Sequence, residues 1–89
     1  MHQLHLVIRG HVQGVGFRYF VLNRARELGL SGVVRNRFED GVEVEAEGDA
    51  EPLRSLVDAV RRGPPSADVK QVEERWGEGP TRFRGFRVA

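Results

Sequence analysis

The stretch that organises this chain is Gly10-His11-Val12-Gln13-Gly14-Val15-Gly16-Phe17-Arg18. It places glycines between an apolar strand and a helix whose first turn carries an arginine. Glycine allows backbone N–H groups to converge on one small ligand, because no Cβ blocks a positive φ or a close approach. The N-terminus of the helix adds unpaired N–H groups and partial positive charge. An arginine next to that charge is unfavourable unless an anion lies between them, so the pattern predicts a cradle for a phosphate group.

Hydrophobic periodicity on both sides of this stretch predicts the other elements of the fold. An apolar/polar alternation precedes it, and a helical apolar stripe that stops at Gly29 follows it. Asp49 is positioned to cap a second helix, and a slip in the alternation between Val69 and Val72 predicts a β-bulge. The strands are expected at residues 4–9, 32–38, 42–48, 67–76 and 86–88, and the helices at 17–28 and 50–62. This order predicts an α+β fold, a ferredoxin-like split βαβ sandwich (βαββαβ), whose antiparallel sheet carries two helices on one face and a short extra C-terminal strand.

Length and composition limit the classes of protein to which the chain can belong. Its 89 residues suffice for one core, so a single domain over residues 1–89 is expected. A net charge of +1 provides no strong field for collecting polyanions. The absence of cysteine excludes disulfides, thiolate catalysis and cysteine-based metal centres. No apolar run approaches the length of about 18 residues that spans a bilayer, and no signal peptide is visible, so a cytoplasmic protein is expected. The sequence does not determine the oligomeric state, and a monomer is the simplest expectation.

The hairpin expected around Glu39–Gly41 contains a second unusual residue, Asn36. In the register that sets Asn36 opposite Val44, its carboxamide points to the helix side of the sheet, among apolar residues. A buried amide without hydrogen-bond partners costs about 1–3 kcal/mol, so we expect a backbone group, a water or a ligand to satisfy it. The helix that begins at Phe17 covers the same face. The sequence therefore predicts that Asn36 and the glycine-rich stretch share one site.

The strand that follows the turn carries Glu43, Glu45 and Glu47 on its second face. The register predicts an exposed charged face in which Arg37 opposes Glu43 and Arg35 opposes Glu45. These glutamates argue against an RNA-recognition module, a class with the same element order, because its third strand carries stacking aromatics and an acidic face repels phosphates. A regulatory module that binds an anion without converting it stays an alternative, since the fold does not decide the function.

Several motifs together give the chain its resemblance to a known family. The glycine-rich stretch is followed by Val34-Arg35-Asn36, Asp40-Gly41, Gly63-Pro64-Pro65, Val69-x-x-Val72, Trp76 and Phe83-x-Gly85-Phe86. In these features, which cover nearly the whole chain, the sequence resembles the acylphosphatases. That family shares the split βαβ sandwich and hydrolyses the carboxyl–phosphate bond of acyl phosphates without metal or cofactor. The chain departs from the family pattern at Val33, where tryptophan is frequent, and at Arg37-Phe38, where Leu-Pro is frequent.

The resemblance implies a role for each residue of the motif. The residues implied to bind the phosphate of an acyl phosphate substrate are Gly10, His11, Val12, Gln13, Gly14, Val15, Gly16, Phe17 and Arg18. Arg18 would be the phosphate-binding cation, Asn36 would position the attacking water, and inorganic phosphate would be the product. An acyl carboxylate is a good leaving group, so no strong general base is obligatory. No cofactor, nucleic acid or membrane is implied as a partner.

The sequence leaves the role of Gln13 open, since its side chain either touches the ligand or shapes the loop. The histidines His2, His5 and His11 suggest a metal, but no carboxylate shares their spacing, and no metal site is predicted. The aromatic residues expected to pack in the core or at an edge are Trp76, Phe83 and Phe86.

Overall fold

A computed structural model describes residues 1–89 and contains five strands and two helices. The strands are β1 (His2–His11), β2 (Ser31–Asn36), β3 (Val42–Gly48), β4 (Asp68–Glu78) and β5 (Phe86–Val88), and the helices are α1 (Phe17–Glu27) and α2 (Ala50–Arg62). The sheet has the strand order β4-β1-β3-β2-β5. Both helices pack on one face, because their buried side chains belong to the same apolar cluster as the inward residues of β1 and β3. The predicted ferredoxin-like split βαβ sandwich is confirmed.

The sheet is mixed rather than antiparallel throughout. Neighbours in β4-β1-β3-β2 are antiparallel, but β5 runs parallel to β2, so the expected antiparallel sheet is wrong at this edge. After β4 the chain passes the N-terminus, where the Gly79 N–H donates to the Met1 carbonyl at 3.1 Å. It then crosses the end of the sheet at which β2 begins, and Phe86 pairs with Gly32. Entering from that end, β5 can only run in the direction of β2.

The core follows from the two predicted periodicities. Alternate residues of β1 and β3 point towards the helices and are buried: Leu4, Leu6, Ile8, Val42, Val44 and Ala46. They meet a stripe of helix residues that includes Phe17, Val21, Ala25, Leu53, Leu56 and Val60. Burying each large side chain of this kind contributes about 1.5–3 kcal/mol. This layer therefore fixes the position of α1, and with it the loop that precedes α1, on the sheet.

Helix α1 ends at the glycine that the sequence predicts. At the end of α1, Gly29 has φ +71°, and the N–H groups of Gly29 and Leu30 donate to the Arg26 and Ala25 carbonyls. This is a Schellman arrangement, which satisfies carbonyls that the helix leaves unpaired. Asp49 occupies the N-cap position of α2 as expected, although its side chain makes no capping hydrogen bond.

The predicted bulge in β4 is present, and it lies beside the C-terminal end of β1. The register shifts between Arg9 and Gly10, which leaves Lys70 as the extra residue of β4. A Cβ on Gly10 would lie 2.1 Å from the Asp68 carbonyl oxygen. Close packing of β1 against the bulged strand therefore requires glycine at position 10.

The register of the β2–β3 hairpin differs from the prediction by two residues. Asn36 pairs with Val42 instead of Val44, because the connection is the longer segment Arg37–Gly41, here called the hairpin loop, rather than a tight turn at 39–41. The Arg37 N–H donates to the Gly41 carbonyl at 2.9 Å. Gly41 has φ +81° and a Cβ there would lie 2.4 Å from the Ile8 carbonyl oxygen. Tertiary contact with β1 thus selects this loop.

The shifted register changes the ion pairs of the outer sheet face. Arg35 bridges Glu43 and Glu45 at 3.1 and 3.2 Å. The expected opposition of Arg37 and Glu43 is wrong, because Arg37 lies in the hairpin loop and pairs with Asp40 at 3.5 Å.

Glu47 is buried, with 1% of its surface exposed, which corrects the expectation that it belongs to an exposed face. The segment that crosses from β4 to β5 covers it. Its carboxylate accepts hydrogen bonds from the Arg82 N–H at 2.9 and 3.1 Å and from the Phe83 N–H at 2.8 Å. Among the aromatic residues, Phe86 is buried, whereas Trp76 lies on the edge strand and remains partly exposed.

Candidate active site

The loop between β1 and α1 is anchored in the core at both ends. Val12 and Phe17 are each 1% exposed, and Val15 packs against the core between them. The Ser66 hydroxyl donates to the Val15 carbonyl at 2.9 Å. We call Val12–Gly16 the cradle loop. Its buried side chains and this hydrogen bond fix the loop on the core.

Two glycines give the cradle loop its path. Gly14 has φ +76° and Gly16 has φ +77°, and a Cβ at either position would meet no atom within 4 Å. The surrounding space is therefore open, and the left-handed backbone alone favours glycine. Gly16 is also the N-cap of α1, so the loop turns directly into the positive end of the helix.

The backbone N–H groups from Gln13 to Arg18 form no well-aligned hydrogen bond within the protein. The first turn of α1 contains no acidic side chain that would accept from them. A run of donors at a helix N-terminus is an anion-binding arrangement. Of the predicted phosphate-binding residues, Gly10 and His11 lie within β1, opposite Val69 and Asp68 of β4.

Arg18 lies in the first turn of α1, immediately after the cradle loop. Its Nη1 donates to the main-chain oxygen of Ala89 at 3.1 Å, and the Ala89 N–H donates to the Val34 carbonyl on β2 at 2.9 Å. No carboxylate side chain forms an ion pair with Arg18. A guanidinium has five N–H donors, so most of them stay free for an anion. The contact with Ala89 is not visible in any sequence pattern, because the two residues are 71 positions apart in the chain.

Asn36 is the last residue of β2 and lies at the same end of the sheet as the cradle loop. It pairs with Val42, which in turn pairs with Ile8 of β1. The expectation of a buried amide is wrong, since Asn36 is exposed at the strand end. The shorter strand β2 places it beyond the cover of the helices. Its carboxamide forms no hydrogen bond within the protein and is therefore free to bind a water or a ligand.

Gln13 connects the cradle loop to the hairpin loop. Its Nε2 donates to the Arg37 carbonyl at 3.0 Å and to the Gly41 carbonyl at 2.7 Å. Both donors of the amide are thus used within the protein, where they hold the hairpin loop against the cradle loop. Asn36 directly precedes Arg37 in the chain, so these two bonds also fix where β2 ends relative to the cradle loop.

The groups with displaced pKa values all lie outside the cradle loop. A hydrogen bond from His5, at 2.6 Å, and a second one from Arg35 lower the pKa of Glu43. Hydrogen bonds from Arg61 and Trp76 lower the pKa of Glu74. These are ion pairs and hydrogen bonds of the outer sheet face and of the α2–β4 surface, where they have a structural role.

The remaining ion pairs with shifted pKa values lie along β4. The pair between Arg9 and Glu73, 2.6 Å apart, raises the pKa of the guanidinium and lowers that of the carboxyl group. Asp68 raises the pKa of Lys70 in the same way. No group of three or more His, Cys, Asp or Glu side chains is arranged to hold a metal ion. None of the helices is long and apolar enough to cross a bilayer.

Comparisons with known proteins agree with this geometry. A family model described as acylphosphatase matches residues 4–88. An acylphosphatase of Azorhizobium caulinodans is 48% identical over 88 residues, which cover 99% of this chain and 95% of that protein. An acylphosphatase of Caldanaerobacter subterraneus subsp. tengcongensis is 45% identical over 85 residues, covering 96% and 94%.

The similarity extends to the three-dimensional structure. The crystal structure of an acylphosphatase from Bacillus subtilis superposes with a TM-score of 0.96 at 37% identity, and the match covers 100% of this chain and 99% of that one. The chain belongs to the acylphosphatase family and is a hydrolase of acyl phosphates.

Proposed function

We propose that the cradle loop and Arg18 bind the phosphate of the substrate, and that Asn36 positions the water that attacks it, without a metal ion. The observation that carries this proposal is the run of unpaired backbone N–H groups from Gln13 to Arg18. It ends at Arg18, a cation that forms no ion pair with a carboxylate side chain. Donors and cation together match the oxygens and the negative charge of a phosphate group.

Arg18 has the main electrostatic role in this proposal. Its planar guanidinium binds two phosphate oxygens at once, while Ala89 holds one of its remaining N–H groups. The contact with Ala89 fixes the side chain before substrate binds, so less conformational entropy is lost on binding. Negative charge on the transferring phosphoryl group is then met by fixed donors, which is the main requirement of phosphoryl transfer.

The reaction needs no strong base. The water held by the Asn36 carboxamide attacks phosphorus, the bond between phosphorus and the acyl oxygen breaks, and the acyl group leaves as a carboxylate. A phosphoryl oxygen of the substrate accepts the proton of the water. A dianionic acyl phosphate and one water thus give a carboxylate and dihydrogen phosphate, and both charge and atoms balance.

The test combines one substrate with two variants. Purified protein in EDTA is mixed with benzoyl phosphate, and its ultraviolet absorbance is followed; we expect hydrolysis to continue at the same rate as without EDTA. Arg18→Ala is expected to lower the rate and weaken inhibition by inorganic phosphate. Asn36→Ala is expected to lower kcat while inhibition by phosphate is retained. Turnover that disappears with EDTA, or near-normal turnover of Asn36→Ala, contradicts the proposal.

The same assay separates the enzyme from an anion-binding regulatory module. Tight binding of phosphate without any hydrolysis of benzoyl phosphate is the result expected of a regulator. The acidic residues of β3 that argue against RNA binding form ion pairs with Arg35 on the outer sheet face, so they offer no basic or aromatic platform for a nucleic acid.

We further propose that the protein acts as a monomer in the cytoplasm. The large exposed apolar residues Tyr19, Phe38 and Trp76 belong to three segments, α1, the hairpin loop and β4, and single exposed apolar residues are ordinary at the surface of a monomer. Light scattering after size exclusion measures the mass, and fractionation of cells tests the location.

A further inference from the structure

The apolar ring of Phe38, at the tip of the hairpin loop, does not pack against the rest of the fold. The accessible surface of Phe38 is 105% of its value in a reference peptide, so the residue is fully exposed. The other large exposed apolar residues reach 43–60%. An aromatic ring held fully in water contributes nothing to the core. Binding residues are often carried on loops that a rigid scaffold positions, and an aromatic ring provides a large apolar contact area.

The hydrogen bonds of Gln13 set the location of this ring. They hold the carbonyls of Arg37 and Gly41 and so enclose residues 38–40 between two points that are fixed to the cradle loop. The nitrogen of Phe38 is bonded directly to one of these carbonyl groups. The backbone that carries Phe38 is therefore held next to the cradle loop, on the hairpin that also carries Asn36.

We propose that Phe38 forms an apolar subsite for the acyl group, and that the protein prefers acyl phosphates with aromatic or large apolar acyl groups over acetyl phosphate. This inference rests on the proposed function, because it assumes that the phosphate occupies the cradle loop. The acyl group then extends outward from the loop, past its rim. There, the ring of Phe38 is the apolar surface of the hairpin loop.

The charges of the hairpin loop support an uncharged acyl group. Arg37 pairs with Asp40 at 3.5 Å, so its guanidinium is partly neutralised. Glu39 lies beside Phe38 and is exposed. An acyl group with its own carboxylate meets this negative charge, which lowers its affinity. Acyl groups that are apolar and uncharged match the loop best.

The experiment compares kcat/KM for benzoyl phosphate and acetyl phosphate in the wild-type protein and in Phe38→Ala. We expect Phe38→Ala to lower the ratio of benzoyl to acetyl by about three- to tenfold, the range that one aromatic contact provides. Phe38→Leu keeps most of the apolar surface, so its ratio is expected to lie between the two. Both variants are expected to fold, because the ring has no packing partners in the core.

Trp76→Ala is the matched control, because Trp76 is an exposed aromatic residue (43%) on the edge strand β4, at the end of the sheet away from the hairpin loop. Its ratio is expected to equal that of the wild type. An unchanged ratio in Phe38→Ala, an equal fall for both substrates, or a similar change in Trp76→Ala overturns the subsite. If the wild-type protein hydrolyses neither substrate, the proposed function fails as well; activity on acetyl phosphate with an unchanged ratio removes the subsite alone.

Discussion

The cradle loop and the hairpin loop lie at the same end of the sheet, but they are held in different ways. Val12 and Phe17 anchor the cradle loop through buried side chains, and its N–H groups stay unpaired. The hairpin loop is anchored through its backbone, since the Gly41 carbonyl accepts from both Arg37 and Gln13. A site for an anion needs free donors, so the loop that binds must be fixed by side chains. The hairpin loop does not bind the anion in this proposal, so hydrogen bonds of its own backbone can hold it in place.

The largest expected effect concerns the cation at the end of the cradle loop. Arg18→Lys keeps the charge but loses the planar fork and the hydrogen bond to Ala89. We expect kcat/KM for benzoyl phosphate to fall about 10²-fold or more, near the effect of removing one transition-state donor. Arg24→Lys, on the same helix, is the control and is expected to keep its activity. A fall below about tenfold in Arg18→Lys would show that charge alone suffices and that the fork is dispensable.

Glycine substitutions test the difference between the two anchoring modes. In Gly41→Ala, the Cβ would lie 2.4 Å from the Ile8 carbonyl oxygen at φ +81°, so strain and a steric clash combine to about 3 kcal/mol of lost stability. In Gly14→Ala the space is open and φ is +76°, so only backbone strain of about 1–1.5 kcal/mol is expected. Urea unfolding of both variants measures this. Equal losses would contradict the view that the backbone is closely packed at Gly41 and open at Gly14.

Gln13→Leu tests the connection between the loops. It removes two hydrogen bonds, of 3.0 and 2.7 Å, without changing the cradle backbone. We expect kcat to fall about tenfold, because Asn36 loses its fixed position, while the inhibition constant of phosphate changes less than twofold. Gln3→Leu is the control, since Gln3 donates to the Pro80 carbonyl at 3.1 Å at the other end of the sheet. A matching change in the phosphate inhibition constant would mean that Gln13 acts on the cradle instead.

The smallest effect is electrostatic and lies on the outer sheet face. His5 and Arg35 lower the pKa of Glu43 below its ordinary 4.5 in the folded protein. A carboxyl group with a lowered folded pKa stabilises the fold above its unfolded pKa, and this contribution is lost as the pH falls through the folded value. We expect Glu43→Gln to lose about 0.5–1 kcal/mol at pH 7 and to show a weaker decline in stability below pH 4.5 than the wild type. Thermal unfolding between pH 2 and 7 tests this, and an unaltered acid decline in Glu43→Gln argues against the assignment.

Much of the fold was predictable because its signals are local. The alternation of Leu4, Leu6 and Ile8 predicts a strand whatever surrounds it, and Gly29 ends α1 through its own backbone freedom. The bulge was predictable from the slip between Val69 and Val72. The end of the hairpin was not, because a turn at 39–41 and a loop at 37–41 suit the same residues equally well.

The candidate site also has features that local sequence signals predict and features that they do not. Its glycines and Arg18 are visible as a motif, since the chemistry of an anion cradle requires those residue types in sequence. The exposure of Asn36, the contact of Arg18 with Ala89 and the bonds of Gln13 were not predictable. The contacts of Arg18 and Gln13 join parts of the chain that are distant in sequence, and the exposure of Asn36 depends on where the hairpin loop begins. No periodicity or spacing in the sequence reports such features.

The sequence by itself determined the order of the elements, the face of each that is buried, and the cradle loop, because backbone freedom at glycine and the burial of apolar side chains act over a few residues. The tertiary structure decided the register of the hairpin, the burial of Glu47 and the direction of β5. These depend on which backbone groups meet across the sheet. The energies of the alternatives differ only once strands that are far apart in the chain are packed together.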